Sequence, residues 1–591
     1  MARESARTRT TRRRVIGGAA SASLAATAGC LEGVWNTAGR ERAEQLSLRI
    51  KTLPTDADPY AVRIARALAG ALEAVGVDTE LLPMAEEALL RDLLVNHDFD
   101  LYVAPHPGGR DPDFLRPFLH SRYAGERGWQ NPLGYTDLSV DELLDEQRRR
   151  EGAARSAALA DLQTAIAEAQ PFTVVAFPDD IVAARRDRFT GWTRTPPTGP
   201  LGFLAVDRAE ATRPTVLRAL LRDARATNNL NPLAAEHRDR GTVLGLVYDS
   251  LGRPYRGEVR PWLAREWEWT GGDGDCRARV TLRRADWHDG RPVTARDVAF
   301  TYRFLDDTSL GEAEAPVPAG RFRGEGSLVA DVRAVGERVV EFDFEAVAPS
   351  VAERAFTVPV LPRHVWRERT DPATVAGVSV GARTTEALVW GNSRPIGSGP
   401  LRVDAVEPNE RLVLSRVGGH FLERVDGDLG AAVGGRPAFD RLELYPVPSD
   451  SVAVELLAEG RADVVAGALG SSVAPEIGRA PALSLLARRS PSFYHVGYNA
   501  RRAPLSNVRF RRAVARLLDR AALVESVFDG YAAPAVSPLA ATGSVAPELA
   551  WDGEAPILPF VGEDGDLDVE RARAQFVEAG YRYREGRLLH G

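Results

Sequence analysis

An α/β architecture spread over more than one domain is the fold this sequence predicts, and three observations lead to it. The chain has 591 residues, beyond the size at which a single hydrophobic core keeps growing. A hydrophobic fraction of 44% and a charged fraction of 27% are those of an ordinary globular protein, which sets disordered and fibrous classes aside. Near the front, apolar residues recur first with period two and then with helical spacing, strand before helix, as in a layer of mostly parallel strands.

The elements follow in order. Leu46, Leu48 and Ile50 alternate as a strand, and Val62, Ala65, Ala69, Leu72 and Val75 mark a helix that Gly76 ends. Residues 77–83 read as a strand, 85–96 as a helix with Leu89, Leu90, Leu93 and Leu94 on its apolar face, and Phe99, Leu101 and Val103 as another strand. Residues 193–213 open on a proline and glycine cluster and lose periodicity, so they read as a connector. Beyond it, 243–251 is apolar, 262–269 is rich in tryptophan, and 278–282 alternates before a turn at Asp289-Gly290. Residues 310–330 and 422–436 are glycine-rich and acidic, as solvent loops are. One long helix is expected from near Ser506, with Val514, Leu517, Leu518 and Ala521 along one face.

The first 45 residues read as targeting rather than fold. Thr11-Arg12-Arg13-Arg14-Val15-Ile16 is similar to the twin-arginine export motif, with Arg12 and Arg13 as its pair. The weakly apolar stretch 15–28 that follows is shorter than the about 20 residues a membrane-spanning helix needs. Thr27-Ala28-Gly29-Cys30 is similar to a lipobox, in which cleavage before Cys30 exposes a thiol for diacylglyceryl attachment; a lone cysteine behind an ordinary signal peptide is the alternative. Either way the mature chain is expected outside the cytoplasmic membrane, and with lipidation anchored to its outer face. Cys276 is the only other cysteine, too few for a disulfide framework.

Charge and motifs narrow the function. The net charge is -7, and removing residues 1–29, with six arginines and one glutamate, leaves the body more acidic still. That argues against a nucleic-acid partner, which needs clustered cations. Lys51 is the only lysine, so a GxxxxGK phosphate loop is impossible. The nine histidines form no HExxH or HxH pattern and no CxxC is present, so no zinc site or other cofactor is indicated. Trp287-His288-Asp289-Gly290 could hold a His/Asp dyad, but its strand-to-turn setting favours a hydrogen-bonded turn.

From residue 214 onward short stretches accumulate in a fixed order: Leu230-Asn231-Pro232, Val247-Tyr248-Asp249-Ser250-Leu251, Leu263-Ala264-Arg265-Glu266-Trp267 and Trp287-His288-Asp289-Gly290. They continue with Leu361-Pro362-Arg363-His364-Val365-Trp366, Pro395-Ile396-Gly397-Ser398-Gly399-Pro400, and Tyr498-Asn499 leading into 507–513. In this order they resemble the family 5 extracellular solute-binding proteins, which include dipeptide, oligopeptide and nickel binders. The resemblance implies a type II periplasmic-binding-protein-like fold, two lobes plus a smaller extra domain, closing on a ligand by hinge motion. It also implies capture of a peptide or peptide-sized solute for an ABC importer, with permease subunits as partners, by a monomer without catalysis. A secreted hydrolase on a related scaffold, or a ligand-sensing receptor without transport, are the other readings.

Residues 572–581 resemble an element that this family places midway through its third domain, and the chain then stops. The elements that would follow stand at the front, through Asp111-Pro112, Asn131-Pro132-Leu133-Gly134-Tyr135 and 172–186. The chain thus reads as a circular permutant: signal peptide 1–29, lipid-anchored linker 30–45, first part of domain III 46–170, domain I with the connector 171–235, domain II 236–355, domain I again 356–450, and second part of domain III 451–591. An unrelated α/β domain fused ahead of a truncated binder is the alternative.

Peptide-binding members hold the ligand's ammonium with an aspartate in a Trp-x-x-Asp-Tyr-x-Asp-Pro segment. Aligned on Asp111-Pro112, this chain has Pro105 for that tryptophan and Gly108 for that aspartate. His106 and Arg110 in the same turn are candidate replacements that would favour an anionic ligand; both fit a solvent-facing loop equally well. Glu236, at a position of a pocket glutamate in some members, and Tyr498 and Asn499, at the end of a strand expected to approach the cleft, complete the candidates. For these three, core or surface roles weigh the same.

Overall fold

Leu46, Leu48 and Ile50 are buried in a strand, Ser47–Thr52, whose parallel partners are Asp78–Pro83 on one side and Leu101–His106 on the other. The computed structural model from which this is read describes residues 44–590 except 196, 210–214, 235–240, 272–274, 376–377, 380–383, 425–432 and 434–436. Arg12, Arg13, Cys30 and Glu236 lie outside the described residues, as does most of 422–436.

The first helix, Pro59–Ala74, forms because Asp58 caps it, accepting from the amides of Tyr60 and Ala61, and because Ile64, Ala65, Leu68 and Leu72 give it one buried face. Those side chains pack on one side of the sheet with Val103, Val496, Phe510, Phe576 and Leu588. The other side is a second core, in which Tyr102, Phe118, Leu162, Phe172 and Phe493 meet. Front and back of the chain therefore share one lobe. Leu101–His106 pairs antiparallel with Phe493–Tyr498, and the Leu46 amide donates to the Leu588 carbonyl at 2.8 Å.

The central lobe is built around the parallel strands Arg441–Pro446, Val216–Leu221 and Val464–Val465, with Leu401–Glu407 and Arg411–Arg416 added antiparallel. Its larger core runs without a break into a four-stranded antiparallel sheet, Ala264–Thr270, Arg277–Leu282, Val339–Phe344 and Val329–Ala334, covered by the helix Ala295–Asp306. A capping box of Thr294 and Asp297 starts that helix.

One long strand, Phe172–Arg185, belongs to both lobes. Its first half pairs with Phe493–Tyr498 and Ala532–Pro534, and its second half with Leu483–Arg489. The return crossing is Ser490-Pro491-Ser492, tied to the first by the Ser490 amide on the Pro178 carbonyl at 2.9 Å. Val464–Val465 and Leu483–Arg489 hydrogen-bond into the central sheet, and the chain crosses to the other lobe at 490–492.

Three expectations need correction. The sheet is mixed, not mostly parallel, because the strands crossing between lobes run antiparallel to their neighbours. The helix from Ser506 is two helices, Val508–Ala515 and Arg520–Phe528, since Asp519 starts a new cap by accepting from the Ala522 amide. Residues 310–330 are not a solvent loop: Val317, Ala319 and Leu328 are buried, and two short helical turns, Gly320–Phe322 and Arg323–Gly326, intervene. The connector also packs, through a helix Pro200–Leu204 that buries Phe203 and Leu204 completely.

Candidate functional site

The turn after Leu101–His106 and the two strand crossings meet at one place, and a cavity of about 1090 Å³ opens there. Its walls come from both lobes: His106 to Arg110, Phe114, Phe118 and Trp129 from the terminal lobe, and Pro232 with described residues of 194–202, 241–256 and 320–325 from the central lobe. Arg488 and Pro491, at the return crossing, contribute the hinge side. The volume lies just above the range of small-molecule sites, about 300–1,000 Å³.

Gly108 explains why no carboxylate stands at that position. Its φ is +68°, and a Cβ there would lie 2.0 Å from the Pro491 carbonyl oxygen. The turn is pressed against the hinge, so no side chain fits. His106 is buried and stacks on Phe493 at 5.0 Å, and its Nδ1 accepts from the Gly108 amide at 2.9 Å, so it shapes the turn while lining the cavity. Arg110 is exposed at the cavity wall.

Tyr498 and Asn499 stand elsewhere. The Tyr498 hydroxyl pairs with Thr173 Oγ1 at 2.6 Å inside the terminal core. The Asn499 amide donates to the carbonyls of His97 and Phe99 at 3.1 and 2.8 Å, and neither residue lines the cavity. Both bind their own chain's backbone and side chains, as the ends of buried strands must.

Across the cavity the lobes are joined by charge. Asp113, fully buried, accepts from Gln147 at 2.7 Å, Arg148 at 3.1 Å and Arg354 at 2.7 Å. Arg354 also meets Glu325 at 3.1 Å. Burial pulls the Arg354 guanidinium down, but Glu325, Asp113 and Asp111 outweigh it and hold it above its ordinary value. Deeper in the wall, Arg253 lies over the Trp262 ring at 4.2 Å, and burial pushes it down to about 10.

Sequence reasoning passed over Arg253, Arg256, Arg354 and Arg488. In a chain whose cations are almost all arginine, none of them stands out by type. Asp113 adjoins the Asp-Pro turn singled out above and was within reach of that signal. His288 behaves as the turn reading expects: its amide donates to the Gly397 carbonyl at 2.8 Å, and Nε2 lies 3.0 Å from the Gly399 carbonyl. Burial keeps it below its ordinary pKa. Among the described residues, no group of three or more His, Cys, Asp or Glu could hold a metal ion, and no helix is long and apolar enough to cross a membrane.

A cavity seated between two lobes that share adjacent strand crossings defines the class: a hinged, two-lobed solute-binding protein. The family described as bacterial extracellular solute-binding proteins, family 5 Middle, matches residues 258–590, more than half of the chain, and the chain belongs to it. A Brucella ovis protein named as an ABC transporter peptide-binding protein is 23% identical over 254 residues, 43% of this chain and 42% of that protein. A Brucella melitensis binding protein is 33% identical over 139 residues, 22% of this chain and 18% of its own length. The chain thus spans under half the length of these curated relatives. Among solved structures, the oligopeptide-binding protein AppA of Bacillus subtilis in complex with a nonapeptide is similar at 18% identity and a TM-score of 0.46, over 64% of this chain and 66% of that one. DppA of Helicobacter pylori in complex with the peptide STSA is similar at 16% identity and a TM-score of 0.44, over 62% of this chain and 66% of that one.

Proposed function

We propose that this protein captures a peptide or peptide-sized solute in the cavity between its lobes and presents it to the permease subunits of an ABC importer, without chemistry of its own. The observation that carries the reading is the position of the cavity in a chain of a solute-binding family: both lobes and the hinge line it, so a ligand that touches all three favours the closed arrangement over an open one. The names of the Brucella relatives point to peptides. Export by the Arg12-Arg13 signal and lipidation at Cys30 would hold the protein, as a monomer, at the outer face of the cytoplasmic membrane.

We also read the chain as a circular permutant of its family. In support, the family match runs through residue 590, while strands from 47–106 and 172–178 complete the sheet that the matched segment 493–534 begins.

Thermal unfolding of the full chain against a panel of short peptides tests the capture reading. A ligand at a hundred times its Kd should add about 2.7 kcal/mol to stability, and Arg110→Ala should reduce the shift produced by carboxylated members of the panel. A panel in which no peptide or carboxylated solute moves the transition would sink the reading.

A further inference from the structure

The cavity differs in charge from the rest of the molecule. The whole chain has more acidic than basic residues, 82 against 75, yet among the described residues the lining holds seven arginines and a single glutamate, Glu325. That glutamate is already engaged by Arg354, which also serves Asp113. Arg194 is likewise paired, with Asp207.

Arg256 and Arg488 have no such match, and Arg253 has only a shared one. Arg256 and Arg488 have no carboxylate within ion-pair distance among the described residues; Arg256 leans on the Tyr255 ring at 5.3 Å and Arg488 donates to the Thr193 carbonyl. Arg253 is 5% exposed and its Nε is buried without a hydrogen-bond partner. Its nearest carboxylate, Asp249 at 3.9 Å, is shared with His420, Trp262 and Ser398. Like charges lining one cavity repel one another, and an acidic protein supplies no distant field to favour an anion. The attraction is therefore local to the cavity, and an anionic ligand relieves the repulsion.

Resting on the capture reading above, we infer that the solute carries at least two oxyanionic groups, carboxylate or phosphate, set apart along an apolar body. Arg256 on the central wall and Arg488 in the strand that leads into the return crossing can each take one oxyanion as a bidentate partner. The lining is also aromatic, with Phe114, Tyr255 and Phe322. Guanidinium groups suit both oxyanions, since each accepts two parallel N–H bonds.

Titration calorimetry of the full chain with four probes tests this: triglutamate, an Ala-phosphoserine-Ala peptide, trialanine and trilysine. The two anionic probes should bind at least tenfold more tightly than the others, and the tighter of the two identifies carboxylate or phosphate as the better fit. Raising the salt should weaken them selectively. The double variant Arg256→Ala/Arg488→Ala should weaken the anionic probes by about tenfold for each arginine lost and leave trialanine unmoved. Trialanine or trilysine binding as tightly as triglutamate, or a double variant that binds the anionic probes unchanged, overturns the inference and leaves capture standing. Binding of none of the four overturns capture as well.

Discussion

The central lobe is folded from one continuous stretch, 179–489, and the terminal lobe from the two ends of the described chain, and each buries a carboxylate on different terms. In the central lobe, Asp249 is fully buried and faces His420 at 3.2 Å, Ser398 at 3.0 Å and the Trp262 indole at 2.7 Å, with Arg253 beyond. Burial pushes its carboxyl up, but His420, Arg253 and Trp262 outweigh burial and hold it below the usual range. In the terminal lobe, Asp58 is buried with no cation beside it among the described residues. It accepts from two backbone amides and from the Tyr494 hydroxyl at 3.1 Å, and burial pushes it up to about 6. A buried carboxylate stays charged where a guanidinium and hydrogen-bond donors converge on it, and is kept near neutrality where dipoles alone receive it.

Removing the paired carboxylate should have the largest effect. Asp249→Ala strands a buried guanidinium and leaves the Trp262 indole and Ser398 hydroxyl without their acceptor, so it should cost about 3–5 kcal/mol. Urea denaturation measures this; a loss below about 1 kcal/mol would show that Arg253 and His420 do not depend on Asp249, and the contrast between the lobes would fail.

Part of this molecule was legible in its sequence. Period two at 46–50, helical spacing at 62–75 and the ordered stretches after 214 placed strands, helices and family, because each depends on local spacing. The cavity was less legible. His106 and Arg110 were found because the Asp111-Pro112 turn gave a register, and both line it. Tyr498 and Asn499 belong to the right strand, but which end of a strand faces a cleft depends on neighbours far away in the chain. Residues 198–202 and 320–325 line the cavity although the first read as part of a connector and the second as part of a solvent loop. There glycine and proline let backbone approach closely, as where a Cβ on Gly324 would sit 3.1 Å from the Pro117 ring. Composition cannot tell such a close approach from exposure to water.

The unpaired carboxylate should give the next largest effect, with the opposite dependence on pH. The folded Asp58 carboxyl keeps its proton to about pH 6, while the unfolded chain releases it near 3.8. Well below pH 3.8 both states are protonated and nothing is lost. As pH rises to about 6 the unfolded state ionises first, and the fold loses about 3 kcal/mol. Asp249, with its lowered folded value, instead contributes stability above the unfolded pKa that is lost as pH falls. Asp58→Asn, which has no proton to release, should therefore gain on the wild type between about pH 4 and 6. Urea midpoints for the two proteins that run parallel across this range would break the contrast.

The smallest effect is expected where the two lobes differ most visibly, in how the chain threads them. Gln45 and Leu589 form an antiparallel bridge, and the Leu46 amide reaches the Leu588 carbonyl, so the two ends of the terminal lobe already lie side by side. If that lobe is one core built from two ends, joining 590 to 45 with a short Gly/Ser linker and opening the chain between 209 and 215 changes connectivity without removing a described contact. Loop closure depends only on the logarithm of length, so the rearranged chain should unfold within about 1 kcal/mol of the original. It should also keep its response to whichever solute shifts the parent. A rearranged chain that fails to fold would mean that residues 210–214 hold the lobes together in a way neither core requires, and the lobe shared by both ends would lose its standing as an independent unit.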